Sequence, residues 1–199
     1  MSFAKMLSRL AAALLLASAG ILPVQAASVL PLYLDEIVDH STVAFEGTCT
    51  GNRTERDPAT NLVVTYTTFE VREVLKGTVG ATHEIKQIGG TLPDENLQYR
   101  IEGVPTFTVG EDYVVFLAGK SAAGFSSPIG LGQGRFGLHG KAGRRHVSNG
   151  RDFRDMASRM SARLPAPARA RLKGATAPVR EMDLIDFKQA VRNHVGAGQ

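Results

Sequence analysis

Residues able to do chemistry are sparse in this chain and poorly grouped. The 199 residues include one cysteine, Cys49, and five histidines: His40, His83, His139, His146 and His194. Cys49 sits mid-strand in STVAFEGTCTG, on one face with Val43 and Phe45. An apolar setting of that kind raises a thiol pKa and leaves the group inert, so Cys49 reads as a small core residue. No two histidines stand at H-x-x-x-H or H-E-x-x-H spacing, which would put paired imidazoles on one helix face of a zinc protease. His139 and His146 can face each other across a hairpin. Zinc takes three or four protein ligands and no third is near, so no metal site is expected. Glu55, Asp57, Asp94 and Glu95 offer carboxylates in loops, and Ser126 and Ser127 offer hydroxyls. No spacing among them pairs a nucleophile with a base and a group to orient it. The expectation is a chain that is not an enzyme, with no catalytic residue, no cofactor and no metal.

Three motifs invite more. Gly132, Gly134 and Gly137 in GLGQGRFG match G-x-G-x-x-G, but no Gly-Lys-Ser/Thr follows and the strand-to-helix context is missing. Glycines inside strands mark bends, bulges or a crossing backbone. They also let a partner's backbone come close, which makes Ser126, Ser127, Gly130, Gly132, Gly134 and Arg135 the candidate partner-binding residues. Asn52-Arg53-Thr54 matches a glycosylation sequon, a short motif with meaning only on a eukaryotic secretory route. The run 141–173 is basic, with Lys141, Arg144, Arg145, Arg151 and Arg154 as its candidate surface. Phe153 is its one aromatic residue, so base-stacking platforms are lacking and nucleic acid is not expected. A solvated face, anionic lipid head groups, or the acidic body of a partner or of this same chain remain as readings.

Composition sets the frame for these residues. Lys5 and Arg9, the apolar run 10–22 and Val24-Gln25-Ala26 have the three parts of an export signal cleaved after Ala26. The expected location is periplasmic or secreted, with no lipoprotein cysteine and no later apolar run long enough to span a membrane. The formal charge of +4 conceals an asymmetry. Residues 27–139 carry 8 basic and 14 acidic groups, whereas residues 140–180 carry 11 basic and 2 acidic. With no disulfide possible, stability must come from a hydrophobic core.

The elements follow from periodicity. Residues 30–40 form a short helical stripe through Leu34, Ile37 and Val38. Residues 41–51 alternate as a strand. Residues 52–61 read as a polar turn or long hairpin loop around Asp57-Pro58 and Asn61. Residues 62–77, LVVTYTTFEVREVLKG, are rich in β-branched and aromatic side chains and form the clearest strand, with Thr67, Phe69 and Val71 on one face. Residues 82–88 follow as a strand that ends at Gly89-Gly90, and 92–105 are irregular. In 110–119, GEDYVVFLAG, both faces are apolar, which marks a central strand. Short strands at 135–139 and 144–148 flank a glycine turn. A helix is expected near 152–164, then a linker. Asp183 caps a last helix whose apolar face is Leu184, Phe187, Ala190, Val191 and Val195.

The succession of a short helix, TVAFEGTCT, TYTTFEVREVLKG and GEDYVVFLAG resembles the netrin-type module shared with the tissue inhibitors of metalloproteinases. The chain is also similar to a group of bacterial exported proteins that carry SSPIGLGQGRF, residues 126–136. The resemblance covers roughly residues 30–139. It implies a mainly β fold, a small OB-like antiparallel β-barrel with one or two peripheral helices. It also implies an exported protein partner, a secreted metalloprotease being one such partner. Those inhibitors place an amino-terminal cysteine on the target's zinc. This chain has none after its signal, so no inhibitory residue carries over. The domain reading is a signal (1–26), a barrel (27–150), a basic linker or partly helical segment (151–182) and a C-terminal amphipathic helix (183–199). The leading functional expectation is a non-enzymatic binding module. The alternatives are an envelope-associated structural protein docked through its basic segment, and a hydrolase of unrecognised type.

Overall fold

Two 14-residue strands, β1 (Val43–Arg56) and β2 (Val63–Lys76), form the backbone of the fold. A computed structural model describes residues 29–141 and 143–198. The export-signal reading lies outside those residues. The compact unit described below begins at Pro31.

β1 runs five residues past the expected end at Gly51. The supposed loop 52–61 shrinks to a turn around Asp57, because the polar residues find partners across the ladder. Thr67 Oγ1 donates to Asn52 Oδ1 at 2.7 Å. Thr54 and Thr65 hydroxyls are 3.0 Å apart, and the Arg53 guanidinium lies 4.3 Å over the Tyr66 ring. In the turn, Asp57 Oδ2 accepts from the Thr60 amide and hydroxyl, and Asn61 takes φ 56°. The Asp57 and Asn61 turn chemistry is therefore right, and only the loop length is corrected.

The remaining strands and α-helices among the described residues are α1 (Leu34–His40), β3 (Thr82–Ile88), β4 (Gly90–Leu92), β5 (Leu97–Tyr99), β6 (Asp112–Leu117), β7 (Arg135–Lys141), β8 (Arg144–Ser148), α2 (Phe153–Met156), α3 (Ala166–Gly174), β9 (Met182–Asp183) and α4 (Leu184–Ala197), with 3-10 turns at Pro93–Glu95 and Ser158–Arg163. Seven strands make one antiparallel sheet in the order β3-β2-β1-β6-β7-β8-β9, and β4 and β5 pair separately. β6 is the middle strand, as its two apolar faces require.

The fold is mainly β, but the sheet is not closed into a barrel. Segment 125–128 lies between β6 and β3. The Ala118 amide donates to Ser127 O, Pro128 bridges Leu117, and the Ser126 amide donates to Lys86 O at 3.0 Å. A single main-chain bond joins this segment to β3, so the sheet stays open there.

The sheet separates two cores. On its helix face, Ala44, Val114, Phe116, Phe136, Leu138 and Val147 pack under α1, α2 and α4. On the opposite, loop face, Phe45, Cys49, Phe69, Ile85, Tyr113, Val115 and Leu117 pack under Phe107. The segment 151–182, expected as a basic linker or partly helical segment, carries the helices α2 and α3 and is built into the helix-face core. Phe153, Met156, Met160, Leu164, Ala168 and Met182 are all buried there. The first five recur every three or four residues, a helical spacing hidden within an arginine-rich composition. Asp183 caps α4 as expected, accepting from the Ile185 and Asp186 amides.

Candidate functional site: a polar cleft on the loop face

Along β2 the loop face changes character, from Phe69 to Thr67 and then Thr65. Cross-strand register carries that change over three strands. Asn52, Thr67 and Ile85 form one row, and Thr54, Thr65 and Gln87 the next. Asn52 reaches this face because of a bulge between Cys49 and Gly51. Without the bulge, simple alternation from Cys49 would turn Asn52 to the helix side.

Over the polar rows lies a cleft of about 780 Å³, within the range of ligand sites. Its walls are the end of β3, the β4–β5 hairpin and residues 100–107. Arg56 holds the hairpin by a forked ion pair with Glu95, with Nε 2.9 Å and Nη2 2.5 Å from the carboxylate. The floor is fixed by its own hydrogen bonds. Asn52 Nδ2 donates to Phe107 O at 2.7 Å, and the Thr65 hydroxyl to Gly89 O at 2.7 Å. Gln87 is the exception. It is 4% exposed, lines the cleft, and its Nε2 has no hydrogen-bond partner among the described residues. The floor carries no charge. Arg100 and Glu102, exposed on the wall, offset one another. The arrangement suits recognition of a neutral ligand by hydrogen bonds.

The candidate residues from the sequence are dispersed. Ser126 is 3% exposed, with its hydroxyl given to Ala118 O. A Cβ on Gly134 would lie 2.8 Å from Ile129 N and 2.9 Å from Phe116 O, so this glycine marks a crossing backbone. The neighbouring turn is held to the N-terminal segment by Gln133, whose Oε1 accepts from the Leu32 amide. Gly130 takes φ 60° within that turn, and Gly132 lies nearest to Gly103 O. Ser127 serves through its carbonyl, as above. Arg135 alone among these residues supports the cleft. Its guanidinium packs 4.7 Å from the Tyr113 ring and 5.6 Å from the ring of Phe107, a wall residue.

Among the described residues, Arg145 and Arg159 of the basic segment pair with carboxylates of the acidic body, and Lys188 of α4 joins them. Arg145 pairs with Glu46 at 2.7 Å and Asp112 at 3.0 Å, and Lys188 pairs with Glu46 at 2.6 Å and Glu73 at 2.7 Å. Burial opposes ionisation of Glu46, but Lys188 and Arg145 outweigh it and hold the carboxyl below its usual range. Asp112 behaves likewise: burial raises it, while Arg72, Thr48 and Arg145 lower it further. Arg151 donates to Leu32 O and Gln133 Oε1, and burial lowers its pKa. Arg154 pairs with Asp152. Lys141 and Arg144 are exposed, with no ion pair among the described residues.

Cys49 is fully buried, and burial raises its thiol pKa. His139 lies directly across from His146. Among the described residues no group of three or more His, Cys, Asp or Glu side chains is placed to hold a metal ion. No helix among them is long and apolar enough to cross a membrane.

The chain matches no family model, no curated protein and no solved structure. The cleft is the site that sequence reasoning missed. Its wall was read as irregular chain, and the floor's signal was the replacement of Phe69 by threonines along one strand face.

Proposed function

We propose that this chain is an exported, non-enzymatic binding module that engages another exported protein. A secreted metalloprotease is the partner class suggested by the netrin-type resemblance. The observation that carries the reading is the cleft, open to a ligand and floored in part by Asn52, Thr65 and Thr67, which hydrogen bonds already hold in place. A preformed floor lowers the ordering cost of binding. The proposed architecture is an OB-like barrel with one weak seam. Supporting it are the strand order β3-β2-β1-β6 and segment 125–128 lying between β6 and β3. The immobilised chain, exposed to native periplasm or culture medium, is expected to retain one protein reproducibly. Repeated recovery of no specific protein overturns the reading.

A second reading, docking to an anionic envelope surface, draws on α3. Arg169, Arg171 and Lys173 are exposed there and carry no ion pair among the described residues, like Lys141 and Arg144. Binding to anionic vesicles should then fall steeply with salt. Binding that survives glutamine at all five positions rejects this reading.

A further inference from the structure

We propose that the cleft takes an extended, uncharged polypeptide segment, with a main-chain carbonyl of that segment received by the Gln87 side-chain amide. The inference rests on the binding-module reading and names what the module holds.

Three independent features point to a peptide. The first is the donor. A buried amide N–H without an acceptor is costly, and native proteins seldom leave one unsatisfied. The Gln87 nitrogen sits shielded beside the cleft, while its neighbours Asn52, Thr65 and Thr67 have bonded one another or the backbone. A turn about χ3, the softest torsion of a glutamine, presents that nitrogen to an incoming acceptor.

The second feature is the wall. Among the described residues β5 pairs only with β4. Beyond it, in residues 100–107, the main-chain bond formed within the segment is Val104 N to Ile101 O. The wall is thus an edge strand that runs on through a turn at 101–104, where Gly103 takes φ 82°, into chain whose carbonyl at Phe107 is held by Asn52. Its other peptide groups between 100 and 106 carry, among the described residues, no main-chain bond beyond that of the turn. Such an edge pairs with another extended chain. Ile101, Val104 and Phe107 line the same wall and give apolar footing to alternate side chains of a bound strand.

The third feature is charge. The floor is uncharged, and Arg100 and Glu102 cancel on the wall. A charged segment would lose hydration without gaining a counter-ion.

The test uses the full mature chain, ¹⁵N-labelled, titrated with uncharged hexapeptides built from Gly, Ala, Ser, Thr and Asn. Parallel titrations use the same peptides with Asp or Lys inserted, and chitotriose as a carbohydrate probe. Uncharged peptides are expected to shift the Gln87 side-chain amide together with main-chain amides in 98–107. Charged peptides should bind about tenfold more weakly, the worth of one such contact. Gln87→Leu should lose about the same factor. Thr106→Trp, placed on an exposed part of the wall, should block the cleft without touching the core. Absence of any shift with peptides, shifts with chitotriose instead, or unchanged peptide binding in both variants overturns the proposal. The two readings separate cleanly. A protein partner captured equally by wild type and Gln87→Leu removes the cleft assignment and keeps the binding module. Peptide shifts at Gln87 with no protein partner recovered do the reverse.

Discussion

The two faces of the central sheet are built from the same strands and end differently. On the helix face, the rings of Phe116, Phe136, Phe153 and Phe187 stack with centroids 4.9 to 6.4 Å apart, and α1 and α4 close over them. On the loop face, Phe45, Phe69, Phe107 and Tyr113 form a comparable cluster, 4.9 to 6.5 Å apart, but it stops halfway along. Beyond it come Asn52, Thr65, Thr67 and Gln87. Helices satisfy their own peptide groups and can seal an apolar face completely. Irregular chain cannot, so the face it covers turns polar and stays partly open. Stability should accordingly reside on the helix face and recognition on the loop face.

The largest effect should come from removing an aromatic ring on the sealed side. Phe187→Ala deletes a fully buried ring in contact with three others and should cost about 3–5 kcal/mol in urea unfolding. Phe107→Ala, on the wall of an open cleft, should cost less, because water and neighbouring loop chain can occupy the space. Equal losses would break the contrast between the faces.

Next comes the charged tie between the sheet and α4. Glu46 is 3% exposed and bonded to Arg145 and Lys188. Glu46→Gln should cost about 2 kcal/mol, within the range for hydrogen bonds to charged groups. A carboxyl whose folded pKa lies below its unfolded value stabilises fully above that unfolded value, near 4. The contribution is lost as pH falls through the folded value. Wild type should therefore lose stability on acidification below about pH 5, and Glu46→Gln should lose less over the same window. Parallel pH profiles would show that Glu46 does not carry the effect.

How far these features were legible follows from the kind of signal each leaves. Val114 and Phe116 alternate with Tyr113, Val115 and Leu117, so a central strand with two apolar faces could be read directly. Asp183 before a 3.6-period stripe announced α4. The extension of β1 could not be read, since Asn52 disfavours a strand and the single β-branched Thr54 makes no pattern until Thr67, Tyr66 and Thr65 stand across from 52–54. The helix-face role of Phe153, Met156 and Met160 is masked in composition by the arginines that stand between them, Arg154 and Arg159. The cleft was least legible of all. It depends on a one-residue bulge at Thr50 and on where 100–107 folds back, and neither leaves a periodic pattern.

A smaller effect tests how α4 is seated. Asp183→Ala removes the acceptor for the Ile185 and Asp186 amides and should cost about 1 kcal/mol. Peptide binding in the cleft should not change, since α4 packs on the other face. A binding loss with this variant would mean that the two faces are coupled through the sheet.

The smallest effect on stability should come from Gln87→Leu, and its sign is informative. Most buried polar-to-apolar changes break a hydrogen bond and destabilise. Gln87 Nε2 has none to break among the described residues, so exchanging the amide for an isobutyl group removes a desolvated donor and adds apolar contact with Ile85 and its neighbours. The expected change is between zero and about 1 kcal/mol of added stability, measured by urea unfolding. That gain, accompanied by weaker peptide binding, is the signature of a residue kept for recognition at a cost to the fold. A loss of 2 kcal/mol or more, about what an ordinary buried hydrogen bond to the floor is worth when broken, would return Gln87 to the structural side of the comparison.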